Sequence, residues 1–236
     1  MKRTILLCTS ALLAGSLFAA DSSPKDDLKA AAKKLGDNYS WKGSVENAAG
    51  GGFGAGPSEG KTAGGTTWLS MTRRDTTTEA VLMGSKGAVK TQDGWQSLTD
   101  AAKDDGGGGF NPTRFLALRL QNYKTPAAEA ADLADKAKEL KKDGDVISSD
   151  LTADGAKSLL TFRLPGGGDG PEVSNPKGSV KFWVKDGQIT KYQFKVQGTV
   201  SFGGNDREVD RTTTVEIKDV GTTKVEVSED AKKKLS

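Results

Sequence analysis

KGSVKFWVKDGQITKYQFKVQGTVSF, residues 177–202, reads as a long β-hairpin. Val180, Phe182 and Val184 alternate with polar positions up to Asp186-Gly187, a dipeptide that favours a tight hairpin turn. Beyond it Tyr192, Phe194, Val196, Val200 and Phe202 face one way, and Gln193, Lys195, Gln197, Thr199 and Ser201 face the other. A period of two puts successive side chains on opposite faces of a strand, so this is antiparallel ribbon with one wet and one apolar face. Trp183 breaks the pattern by falling in the polar register. It reads either as local packing against a neighbouring strand or loop, or as an exposed aromatic anchor for a partner.

Outward from this hairpin the pattern continues. After a turn at 203–206, Val209, Val215 and Ile217 alternate with charged residues and threonines, and residues 224–228 are read as a last short strand. Upstream, residues 39–47, 67–74, 76–83 and 88–91 also read as extended, and Trp41, Trp68 and Trp95 lie in or beside them. Helices fill the remainder. Ser23-Pro24-Lys25-Asp26 is a capped start for a helix carrying Leu28, Ala32 and Leu35 on one face, with Gly36 as its stop. Asn111-Pro112 opens a second, with Phe115, Leu116 and Leu120; a third runs from Pro126 to Gly144, and 152–160 gives a fourth, weakened by Gly155. Gly-rich stretches at 48–66, 104–111 and 165–178 read as loops. An apolar sheet face must be covered, and the helices are the available cover, which makes the class α+β.

Lys2 and Arg3 precede an uncharged apolar run through position 20, too short to span a bilayer and suited to an export signal. A mature start near Asp21 leaves one domain at 21–236. Cys8, the one cysteine, lies within that signal, so the mature chain is expected to carry no disulfide, no lipid anchor and no stable membrane attachment. The expected location is the periplasm or the exterior of a bacterial cell. The full chain has 34 Lys plus Arg against 31 Asp plus Glu, and loss of Lys2 and Arg3 leaves almost no surplus, which argues against nucleic acid as a partner. Leu, Val, Phe and Ile supply 39 of the 216 residues from position 21, so the core is expected to be modest.

Two enzyme-like motifs overlap in AGPSEGKT, residues 55–62. A phosphate-binding loop follows a buried strand and opens a helix, but here NYSWKGSVEN precedes and AGGTTWLS follows. No nucleotide site is expected. Ser58 and Lys61 have Ser-x-x-Lys spacing, without the helix N-terminus or the partner motifs that acyl-enzyme chemistry needs. With no histidine and no mature cysteine, histidine triads, ordinary zinc sites and thiol nucleophiles are excluded. The acidic groups Asp104-Asp105, Asp143 with Asp145 and Asp150, and Asp206 with Asp210 lack calcium-loop spacing and read as solvated turns. Lys136, Lys138, Lys141 and Lys142 read as a solvated helix face. The sequence is therefore read as non-enzymatic, with no cofactor and no metal.

The order of elements, with Asp93-Gly94-Trp95 closing the early strands and DVGTTKVEV, residues 219–227, leading to the tail SEDAKKKL, resembles the LolA/LolB/LppX-like superfamily of bacterial envelope proteins. That resemblance implies a strongly curved antiparallel sheet, a half-barrel, wrapped over a few helices. It also implies an acyl chain or whole lipid held between sheet and helices. The chain departs from the pattern in its Gly-rich insertions and in its few Ile and Leu on the inner strand faces, and no ligand-contacting residue carries over. On this reading Phe182, Tyr192, Phe194, Val196 and Phe202 line a lipid site; otherwise they are simply core. The alternative is an envelope structural or protein-interaction domain with a filled interior and no ligand.

Overall fold

The computed structural model describes residues 22–48, 58–73, 76–103, 111–161 and 170–235; the expected export signal and Cys8 lie outside them, as do the side chains of Arg73 and Phe202. The chain begins α1 (Pro24–Lys34), β1 (Tyr39–Asn47), β2 (Ser58–Ala63), β3 (Thr66–Arg73), β4 (Thr76–Met83), β5 (Lys86–Thr91) and β6 (Gly94–Ser97). A helical middle follows, with α2 (Leu98–Ala101), α3 (Pro112–Gln121) and α4 (Pro126–Lys136), then β7 (Lys141–Asp143), β8 (Val146–Asp150) and α5 (Ala153–Leu160). Three long strands, β9 (Glu172–Lys185), β10 (Gln188–Phe202) and β11 (Asn205–Lys218), lead to α6 (Glu229–Lys232).

The described strands form one antiparallel sheet in the order β6-β5-β4-β3-β2-β1-β11-β10-β9-β8-β7, open because β6 and β7 stand at opposite ends. The α+β half-barrel expected from the sequence is thus the architecture found. The hairpin of 177–202 supplies its eighth and ninth strands, β10 and β9. Asp186 and Gly187 both have positive φ, 53° and 70°, as a two-residue primed turn requires, and Tyr192 pairs with Phe182 across it. Pairing carries the apolar register across the sheet: Ile147, Phe182, Tyr192 and Val215 share one row, and Val180, Phe194 and Thr213 the next.

Helices cover this inner face. α1 and α5 lie on β9 and β10, α4 lies on α1 and α5, and α2 and α3 lie on β5. The caps match the sequence: Ser23 Oγ accepts from Asp26 N at 3.2 Å, and Asn111 Oδ1 from Arg114 N at 3.0 Å. Among the described residues, the C-terminal tail covers part of the opposite, outer face. There the tail brings Ala231 and Leu235 onto Val81 and Ala88, beside Trp68, Trp95 and Val227.

Four expected boundaries are corrected. The loop at 48–66 contains β2 and the start of β3; SEGKTA has no run of apolar residues, and it is strand because β1 and β3 pair with it from both sides. Within that strand Gly60 lies under the Trp41 ring, where a Cβ would stand 2.2 Å from Cζ2. The loop at 165–178 likewise gives way to β9 from Glu172. The third helix stops at Lys136 rather than Gly144, because Thr152 N and Oγ1 take the Lys136 carbonyl and Ala137 turns extended to bridge Leu151. Lys141 and Lys142 therefore belong to a strand. Residues 224–228 join no ladder, and Val227 instead packs on the outer-face cluster.

Candidate functional site

Phe182, Tyr192 and Val196 have no exposed surface and Phe194 only 5%. They lie side by side on the inner face in one continuous core with Leu28, Leu133 and Ile147, and the Phe182 and Tyr192 rings sit 6.3 Å apart at 35°. Sequence parity brought these four together correctly. In this structure the space over them is filled by the protein's own side chains. Phe202 ends β10. Trp183, on the outer face, lies under Lys191, whose Nζ is 5.0 Å from the ring centroid, so its neighbour is local.

Above Tyr192 the core turns polar. α4 starts at Pro126 and aims its N-terminal turn at the sheet, where Ala127 N donates to Tyr39 Oη at 3.1 Å. One turn into the helix, Glu129 accepts from Tyr192 Oη at 2.5 Å. Burial pushes the Glu129 carboxyl above its ordinary range, and the Tyr192 bond and the nearby Arg119 only partly oppose this. Tyr39, Tyr123 and Tyr192 are all pushed up, burial being the main cause in each. A half-buried carboxyl bonded by a phenol favours its neutral form.

Arg211 completes this cluster. It pairs with Val196 on one side and with Asn47 on the other, which places it in the inner register of β11. Its Nη2 donates to the Leu159 carbonyl at the end of α5, at 2.8 Å. Its Nε is buried with no hydrogen-bond partner among the described residues. Burial and the facing charge of Arg119 both hold the guanidinium below its ordinary range, and Glu129 only partly compensates. Sequence reading missed this cluster, although a signal was present. Val209, Val215 and Ile217 fix the apolar register of β11, and position 211 falls within it, so a charged residue stood where parity called for an apolar one.

Glu129 and Arg211 share no ion pair; the arrangement holds a polar group without an obvious reaction. Of the acidic residues singled out in the sequence, Asp210 meets Gln197 and Lys195, Asp150 meets Lys138, and Asp206 accepts from Ser201 Oγ. Asp104-Asp105 lie outside the described residues. Ser58 and Lys61 sit on β2, and Lys61 Nζ is 5.9 Å from the Trp68 ring.

The outer face carries two grooves on either side of Trp68. One, of about 530 Å³, runs between Ser40, Lys61 and residues 222–226; the other, of about 680 Å³, lies between Trp95 and the α6 segment. Both are lined by charged as well as apolar groups.

No family model matches the sequence, and no curated protein matches it. Among solved structures the chain is similar to lipoprotein LppX from Mycobacterium tuberculosis, at 11% identity and a TM-score of 0.41 over 83% of this chain and 93% of that one. It is similar also to LprF from Mycobacterium bovis, at 11% identity and a TM-score of 0.43 over 88% and 97%.

Proposed function

We propose that this chain is an exported, non-enzymatic envelope protein that binds a lipid or acyl chain between its sheet and its helices. The observation that carries the reading is a mismatch of lengths. β9, β10 and β11 have 14, 15 and 14 residues, and α1, α4 and α5 have 11, 11 and 8. At about 3.3 Å per strand residue and 1.5 Å per helix residue, strands of roughly 50 Å outrun helices of roughly 16 Å. Inner-face apolar groups beyond the helices, Val173, Val200 and Val209, stay half-buried, as do Val45, Met71 and Leu116 nearer the centre. Such a lane shelters an acyl chain at about 0.8 kcal/mol per buried methylene. In this reading Phe182, Tyr192, Phe194 and Val196 form its closed end, and Phe202 stands at its outer limit.

Native mass spectrometry of residues 21–236 purified from a bacterial periplasm, followed by lipid extraction, tests it. A stoichiometric adduct released as lipid is expected. A bare mass, with no uptake of an added fluorescent fatty acid, overturns it.

A second reading has its own observation. The full burial of Phe182, Tyr192 and Val196 suits a filled interior, with function residing in surface contacts such as the grooves beside Trp68. A bare mass favours that reading.

A further inference from the structure

We propose that Arg211 is the receptor for the anionic headgroup, a carboxylate or phosphate, of an amphiphile whose chain lies along the inner face of the sheet. The proposal rests on the lipid-binding reading above and adds the chemical class of the ligand.

Arg211 is anchored from one side only. Nη2 is fixed by the Leu159 carbonyl, Nε is buried without a partner, and Nη1 has no protein partner among the described residues. A guanidinium offers five N–H donors in a fixed fork, and of its three nitrogens here Nε alone is both buried and without a partner among the described residues. A buried donor left unsatisfied costs free energy, so such a group is retained where something else meets it. The nearby carboxyl does not serve. Glu129 has its bond from Tyr192 at 2.5 Å, and no ion pair joins it to Arg211 or Arg119. Arg119 adds positive charge of the same sign as Arg211, and the two repel. An anion entering here therefore relieves a repulsion and meets Nη1 and the remaining proton of Nη2, the end-on pair of the guanidinium, to which a carboxylate or phosphate can bond in bidentate fashion.

The surroundings select an amphiphile over a free ion. Arg211 shares its row with the fully buried Val196; the next row outward is Gly198 with Val209, and the one after it Val200 with Arg207. Leu160 closes the same place from above, since a Cβ on Gly198 would stand 2.9 Å from its Cδ1. The charge thus sits at the junction between the closed core and the half-open apolar lane. A headgroup bound there has one path for its chain, outward along β10 and β11.

The test compares palmitate, methyl palmitate and inorganic phosphate on delipidated protein by displacement of a fluorescent acyl probe and by calorimetry. The expected result is that wild type binds palmitate roughly tenfold to hundredfold more tightly than methyl palmitate, as charge-assisted hydrogen bonds imply. Arg211→Gln should bring that ratio towards one while methyl palmitate binds as before. Equal affinity of wild type for acid and ester overturns the headgroup assignment and leaves the acyl-chain reading standing. Binding of neither lipid removes that reading and this inference together. Phosphate binding without palmitate binding also overturns the inference, showing a free-anion site. The wild-type ratio needs no variant, so failure of Arg211→Gln to fold does not blunt the test.

Discussion

Truncation of Phe182 to alanine separates a filled core from an empty ligand site. Phe182 has no exposed surface, stands between Ile147 and Tyr192 in register, and meets the Tyr192 ring at 6.3 Å. Its neighbours are held by two ladders and by the Tyr192 bond to Glu129, so the hole left by the ring cannot close easily. A buried Phe→Ala change of this kind costs about 3–5 kcal/mol. For a chain of this size about 2–4 °C accompanies each kcal/mol, so the melting midpoint should fall by roughly 6–20 °C. Urea unfolding of delipidated protein, read by tryptophan fluorescence and far-ultraviolet dichroism, should show a lower midpoint with an unchanged slope. Trp183→Ala is the internal control. It removes the larger side chain next door, but on the outer face and against one lysine at 5.0 Å, and should cost about 1 kcal/mol. A Phe182→Ala loss below about 1 kcal/mol, or one no larger than that of Trp183→Ala, refutes the reasoning; Phe182 would then face space that some other molecule fills.

Two further changes probe the same face. Gly60→Ala should destabilise by about 1–3 kcal/mol, because the added methyl meets the Trp41 ring at 2.2 Å in the centre of a strand; an unchanged melting midpoint would show that β2 does not run beneath that ring. Glu129→Gln keeps an acceptor for Tyr192 and removes a titration. Burial raises the Glu129 pKa in the folded chain, so its contribution is fully present below the ordinary value of 4.5 and is lost as pH rises through the elevated one. Relative to wild type, the variant should gain stability at neutral pH and lose that advantage in acid. A wild-type-to-variant difference that stays constant from pH 3 to 8 contradicts this.

Parity made the inner face legible. Once residues 177–202 are read as a ribbon, pairing determines which positions of β9, β10 and β11 point inward, and the four described candidates are buried together as that register requires. What escaped has a common physical origin. SEGKTA and KKD carry no apolar alternation and become strand through partners distant in sequence, β1 and β3 for the first and β8 for the second. The alanine-rich helix ends early because a threonine sixteen positions later claims its last carbonyl. VEV at 225–227 alternates like a strand, yet no ladder receives it, and Val227 is spent on the outer face. Local propensity decides these segments only until a tertiary partner competes.

The exceptions to parity were better guides to the molecule than the rule. Trp68 and Trp95 stand on the outer face, where a one-sided sheet should be polar, and the chain's own tail is brought across to Val81 and Ala88 beside them. Trp183 breaks the register in the same direction and is met by a lysine. Each aromatic placed outward therefore has a local partner that accounts for it. Arg211 breaks the register in the opposite direction, inward, and its partner is incomplete: one carbonyl takes Nη2, Nε is buried with no partner among the described residues, and the nearby carboxyl is already bonded to a tyrosine. A fold that covers its outward tryptophans but leaves an inward guanidinium half-satisfied is what a headgroup role for Arg211 would explain. A ligand that brings its own negative charge would supply what the fold lacks there.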